Sequence, residues 1–159
     1  MSTTYMSIKG STQGLITEGA FTPESVGNRY QNGHEDEMLI ESYSYGSSIP
    51  TDENGFISGI RKHHSLNILK VTDRSSPLLF EALNKGETLN EIELRLYRTS
   101  YEGKPEHYFT IELSDAVITN LSTNNALESI DFRYRKIELR HEISSTSSSD
   151  DLRMGMNKS

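Results

Sequence analysis

Residues 91–99 read EIELRLYRT and residues 106–113 read EHYFTIEL. In the first run Ile92, Leu94 and Leu96 alternate with Glu91, Glu93 and Arg95. That period of two suits a strand with one buried face; on a helix it would scatter the apolar side chains around the axis. In the second run Phe109, Ile111 and Leu113 share one side, with Thr110 and Glu112 on the other. The link between them, residues 100–105 (SYEGKP), is of hairpin length and carries a glycine and a proline. The two runs are therefore expected to pair antiparallel, and the chain is committed to a β-rich core.

Further strand candidates are residues 115–121 and 129–143, separated by a polar turn at 122–125. Ile130, Phe132 and Tyr134 share one parity, whereas Ile137, Leu139 and Ile143 share the other. A strand cannot change parity without an extra residue, so a bulge or bend is placed near Arg135–Lys136. Upstream, residues 5–8, 38–45 and 66–71 read as strands with weaker alternation. Met38-Leu39-Ile40 and Ile68-Leu69 put apolar side chains on both faces, which calls for cover by a loop or helix, or by a neighbouring subunit. One short helix is marked by Ser76 as cap, Pro77 in the first turn, Leu79, Phe80 and Leu83 at helical spacing, and Gly86 past the end. Residues 17–36 read as a long irregular excursion. Residues 144–159, opening SSTSSSDD, read as an acidic, Ser-rich flexible tail after a domain of residues 1–143.

With 159 residues the chain fits one domain. Apolar residues make up only 33%, while Ser and Thr number 22 and 13. A core this lean implies large solvated faces or surface reserved for other subunits. A net charge of −7 argues against nucleic acid as partner, because phosphate binding needs clustered Lys and Arg. The absence of cysteine removes disulfides, iron–sulfur clusters and thiol nucleophiles. The opening MSTTYMSIKG has no long apolar run, so neither a signal peptide nor membrane insertion is expected.

A search for reaction chemistry finds little. The five histidines, His34, His63, His64, His107 and His141, form no HExxH pair. His34-Glu35-Asp36-Glu37 reads as a solvated acidic turn. Arg61-Lys62-His63-His64 reads as a polar strand entrance, since it lacks the Gly-rich strand–helix junction of a phosphate site. Glu106 and His107 are adjacent on a strand and point to opposite faces. There is no G-x-S-x-G, and the Asn120-Leu121-Ser122 sequon carries little weight without a secretory signal. No catalytic residue, cofactor or metal is expected, and the chain is not read as an enzyme.

The order of the motifs resembles one family. Gly33-His34-Glu35-Asp36-Glu37 leads into Ser42-Tyr43-Ser44-Tyr45-Gly46. Gly59-Ile60-Arg61 is followed by His64, Leu66, Lys70, Asp73 and Ser76-Pro77-Leu78-Leu79, then by Ala82-Leu83 and Gly86-Glu87. Tyr97-Arg98-Thr99, Glu106-His107-Tyr108-Phe109-Thr110-Ile111 and Tyr134-Arg135-Lys136-Ile137 complete a series that runs from about residue 4 to 143. It resembles the haemolysin-coregulated protein (Hcp) family of the type VI secretion system. The resemblance implies a mainly β fold: a closed antiparallel β-barrel built from two sheets, with one short α-helix packed on its flank. It also implies homo-hexameric rings that stack into an inner tube, a contractile sheath and baseplate that propel it, a valine–glycine-repeat spike protein at its tip, and secreted effectors sheltered in the lumen. Such a protein is made in the bacterial cytoplasm and then secreted.

Two contact surfaces follow as expectations. Residues 46–61 separate two strands by far more than an ordinary hairpin connection, and Asn54-Gly55 is a tight-turn signal, so a projecting hairpin arm is expected. Its Ser47, Ser48, Ile49, Asp52, Glu53, Phe56 and Ile57 are assigned to stacking between rings. Pro77, Phe80, Glu81 and Asn84 of the helix are assigned to forming the ring. The competing class is a monomeric β-barrel that binds a sugar or another small ligand. It calls for an aromatic-lined pocket, from a chain with no Trp and only 8 Tyr and 5 Phe.

Overall fold

The computed structural model describes residues 2–153, and the hairpin legible at 91–113 is at its centre. Strands β7 (Leu89–Thr99) and β8 (Pro105–Asn124) pair antiparallel, with Ile92 opposite Leu113 and Leu94 opposite Ile111. Strand β1 (Ser2–Gly10) lies between β7 and β3 (Met38–Ser44). From β3 the ladder continues to β6 (Leu66–Val71) and β9 (Leu127–Arg133), and β9 pairs with the second half of β8. The pairing thus returns to the strand from which it began. Strands β10 (Lys136–His141) and β11 (Thr146–Asp151) extend the sheet outward from the first half of β8. Strand β2 (Gly14–Leu15) folds back on β1, and β4 (Ser47–Ser48) with β5 (Lys62–His63) forms a separate ribbon. The fold is mainly β with one short helix, as expected. Where two sheets were expected, the strands group into a nine-stranded sheet and this two-stranded ribbon.

The grouping depends on two corners. Within β8, Asp115 has φ +52°, rare for a residue with a Cβ, and the buried parity changes from Ile111 and Leu113 to Ala116 and Ile118. Between β9 and β10 the buried row changes from Ile130, Phe132 and Tyr134 to Ile137, which is the bend expected near Arg135. The corners touch: the Arg135 N–H donates to Ser114 O at 3.2 Å, and its guanidinium pairs with Asp115. The sequence divided β8 into two strands with a turn at 122–125. The structure carries it through to Asn124 and turns on Asn125 and Ala126, with φ +53° and +63°, the left-handed pair of a two-residue hairpin.

Met6, Ile8, Met38, Ile68, Ile92, Leu94, Leu113, Ile130 and Phe132 form the core. The opposite side chains Leu39 and Leu69 are half-buried. Helix α2 (Ser76–Lys85) lays Leu79 and Ala82 onto it. Its N-cap is Ser75, one residue before the expected Ser76, and the Ser76 hydroxyl instead accepts from the Asp73 N–H at 3.0 Å. Gly86 closes the other end at φ +63°, where the Glu87 N–H reaches Ala82 O at 2.9 Å. At the helix start Lys70, wholly buried, places Nζ 2.7 Å from Glu128 Oε1, 3.3 Å from Asp73 Oδ1 and 3.0 Å from Val71 O.

The excursion over 17–36 is mostly irregular, as read, with a short α-helical turn, α1 (Pro23–Val26), followed by a 3-10 turn at Gly27–Arg29. It nonetheless contributes Thr17, Ala20 and Phe21 to the interior. The expectation of a solvated acidic turn at 34–37 is corrected. His34 stacks on Tyr5 with 3.7 Å between ring centroids, and its Nδ1 lies 2.7 Å from the buried Glu37, which also accepts from Arg95 at 2.8 Å.

The expected flexible tail is corrected as well. Residues 146–151 form β11, in register with β10 from Lys136↔Asp151 to His141↔Thr146. Strand formation there needs only the free backbone edge of β10, not apolar side chains. Residues 154–159 of that expected tail lie outside the described residues.

Candidate assembly surfaces

The connection between β3 and β6 folds into an arm of two tiers. At its root β4 pairs with β5, and the His64 N–H donates to Gly46 O at 2.8 Å. Further out Thr51 pairs with Ile57, and the tip closes from the Asp52 N–H to Phe56 O at 2.8 Å. The Asp52 side chain holds the tip turn: its Oδ1 accepts from the Asn54 N–H at 2.9 Å and the Phe56 N–H at 3.0 Å. Gly59 is required where the limbs cross, because a Cβ there would lie 2.7 Å from Pro50 Cγ. The hairpin arm is thus present. Of the residues assigned to it, Ser47 and Ser48 sit exposed in the ribbon, Ile49 is half-buried, and Asp52 and Glu53 occupy the tip. Phe56 and Ile57 are 69% and 61% exposed, and Ile60, which sequence reasoning did not single out, is 71% exposed. Three large apolar side chains in solvent on one connection exceed ordinary scatter.

On α2, Pro77, Phe80, Glu81 and Asn84 are all exposed and fall at i, i+3, i+4 and i+7, along one helical face. Phe80 was expected among the apolar row of the helix. It turns outward at 55% exposure, and Ala82 takes its place inside. The arm and helix residues are carried on different elements and form two surfaces.

Sequence reasoning missed what holds the arm's root. Arg61 donates from Nε and Nη2 to the two Asp150 carboxylate oxygens at 2.5 and 2.9 Å, and from Nη2 to Asp151 O at 2.9 Å. His63 Nε2 lies 2.7 Å from Asp150 Oδ2, and its Nδ1 lies 2.8 Å from the Tyr134 hydroxyl. The Arg61 hydrogen bonds hold the Asp150 carboxyl below its ordinary value against partial burial, with His63 adding to them. Burial pushes the Tyr134 hydroxyl up to about 12. The available signal was the i, i+2 spacing of Arg61 and His63, which puts two proton donors on one strand face in need of a carboxylate.

His107, Glu87 and Glu142 take part in hydrogen bonds that tie neighbouring segments together. His107 Nε2 bonds Thr110 Oγ1 at 2.7 Å, and that hydroxyl donates to Glu142 Oε2 at 2.5 Å. A register shift opposite Leu96/Tyr97 adds a residue to β8, so His107 and Thr110 can share a face. Glu87 accepts from the Thr12 and Gln13 N–H groups at 2.9 and 2.8 Å. Burial alone would raise its pKa, but these donors bring it below its ordinary value of 4.5. Glu142 is lowered by the Thr110 hydroxyl. Among the described residues no three His, Asp or Glu side chains gather as a metal-holding group, and no helix is long and apolar enough to cross a membrane.

These lowered carboxylates fix the acid response. A depressed pKa contributes stability above the unfolded-state value, and that contribution is lost as pH falls through the folded-state value. The Tm should hold steady from pH 7 to about 5 and fall progressively below pH ~4.5. Glu87→Gln and Asp150→Asn together should lower the plateau and flatten the fall; an unchanged acid limb in that variant contradicts the assignment.

A mainly β domain with a short helix, which exposes Phe56, Ile57 and Ile60 on an arm and Phe80 on a helix, defines a class of β-rich protein with candidate contact surfaces. Comparison then identifies it: the chain belongs to the Hcp family. Residues 5–141 match the family described as "Type VI secretion system effector, Hcp". A relative from Pseudomonas aeruginosa named "Major exported protein" is 47% identical over 162 residues, covering 94% of each chain. A crystal structure of an Hcp protein superposes with a TM-score of 0.89 at 42% identity, covering 94% of this chain and 98% of the other. The secreted protein Hcp3 from Pseudomonas aeruginosa superposes with a TM-score of 0.84 at 46% identity, over 93% and 98%.

Proposed function

We propose that the chain is a subunit of the type VI secretion inner tube. The observation that carries the reading is the match of residues 5–141 to the Hcp family. In this reading the ring of pairings through β8 acts as a closed barrel. Six copies form a ring through the α2 face of Pro77, Phe80, Glu81 and Asn84. Rings then stack through the arm, where Phe56, Ile57 and Ile60 leave water against the next ring. A head-to-tail contact between unlike faces does not close on itself and propagates as a filament. The sheath expels the tube, the valine–glycine-repeat spike protein tips it, and effectors travel in the lumen. The subunit acts structurally, without a reaction of its own, and is exported from the bacterial cytoplasm.

Replacing residues 48–56 with a short Gly-Ser turn should leave hexamers by light scattering and remove both tubes in electron microscopy and secretion. Tubes of normal length from that variant would show that the arm has another task. A parent protein that stays monomeric at micromolar concentration would remove the ring reading and favour a ligand-binding barrel.

A further inference from the structure

The arm is long, thin and joined to the sheet at Gly46 and His64, so its direction needs fixing by something beyond its own ladder. Most bonds at its root converge on β11, with Arg133 Nη1 of β9 adding a hydrogen bond to the His63 carbonyl at 3.4 Å. Arg61 and His63, on the returning limb, meet one carboxylate, Asp150, with Arg61 also bound to the Asp151 carbonyl. Tyr134, at the corner between β9 and β10, bonds the far nitrogen of the same His63 ring, and their rings meet edge to face at 5.6 Å. Asp150 lies on β11, a strand of TSSSDD without an apolar side chain, whose first four residues are exposed. A strand of that composition adds almost nothing to the core. Its two half-buried residues are the aspartates, and Asp150 is the one that reaches the arm.

We infer that β11 is the seat of the arm, and that Asp150 is a positioning residue which sets the arm's direction through Arg61 and His63. The bidentate Arg61 contact fixes a plane as well as a distance, which a single charge contact does not. With the seat in place the arm's apolar tip is held at one angle to the sheet. Without it the ribbon swings about its two attachment points while the core stays folded. The inference deepens the stacking role proposed above and rests on it for its consequence, though not for its geometry.

The test uses the full chain. Because the sequence has no cysteine, spin labels can be placed at will, one at the tip through Glu53→Cys and one on exposed β8 through Thr123→Cys. The parent should give a narrow distance distribution. Asp150→Ala should broaden it about two-fold and speed amide exchange over residues 47–63 about tenfold, with core amides unchanged. Asp150→Glu, which keeps a carboxylate for Arg61 and His63, should restore most of the narrowing; a purely structural effect of altered β11 packing would not be rescued that way. Arg61→Gln, which leaves β11 intact, should broaden the distribution as Asp150→Ala does. An arm equally well ordered in the parent, Asp150→Ala and Arg61→Gln overturns the seating, whatever the variants do to tubes. A loosened arm with tubes of normal length upholds the seating and overturns the stacking role instead.

Discussion

Lys70→Met is expected to cost about 3–5 kcal/mol of folding free energy, the largest loss from any single polar substitution in this chain. The Lys70 ammonium is wholly buried and lies between Glu128, at 2.7 Å, and Asp73, at 3.3 Å, with Ser76 Oγ at 3.1 Å. Methionine preserves most of the side-chain volume but leaves two buried carboxylates without their cation. Urea unfolding measures the loss. The companion variant Lys70→Met/Glu128→Met should lie well above the single variant, because an isolated buried charge is penalised more than the absence of a pair. A loss below about 1 kcal/mol in the single variant would mean that the cluster contributes no more than an exposed ion pair.

The second large effect is at the C-terminus. Ending the chain at Ser144 should lower stability by about 2 kcal/mol, with a Tm drop of about 4–8 °C. Six residues of ladder with β10 disappear, and Arg61 and His63 lose their carboxylate partner. The estimate is small for a whole strand because β11 itself buries no apolar side chain, Leu152 beyond it is only partly buried against the core, and ordering entropy offsets much of the hydrogen bonding. Calorimetry on the truncated and full chains decides. Superimposable curves would return residues 144–153 to the status of a loose tail.

That reversal shows what the sequence carries and what it does not. The β7 and β8 hairpin was legible because its burial alternates, and alternation is written in the residues themselves. The bend near Arg135 was legible for the same reason, as a change of parity. Strand β11 was not, because TSSSDD forms a strand by occupying the edge of β10, a property of its neighbour. The corner at Asp115 was concealed because a left-handed aspartate leaves no mark beyond the residue itself. Leu79, Phe80 and Leu83 recur at helical spacing, and only the placement of α2 shows that the face with Leu79 and Ala82 points inward while Phe80 turns out. The arm was legible from its length and from Asn54-Gly55. Its seat was not, because Asp150 lies 89 positions from Arg61 and local pattern says nothing of such pairs. Lys70 and Glu128, 58 positions apart, are the same case.

The strand order also sets a timetable for synthesis. Strand β1 lies between β3 and β7, and Ile8 pairs with Ile92. At about 5–20 residues per second, the first strand leaves the ribosome roughly 4–17 s before its second partner exists. The last ladder to form a circuit, β6 with β9, must wait for Phe132 to emerge opposite Leu66. The ladders of β1 with β2, β1 with β3, β4 with β5 and β3 with β6 lie within the first 71 residues and can pair while the chain is half made, whereas every pairing of β7 to β11 must wait. The nascent protein spends seconds with Met6 and Ile8 on a half-paired edge, the interval in which a holding chaperone, or a slower codon, would have the greatest influence on yield.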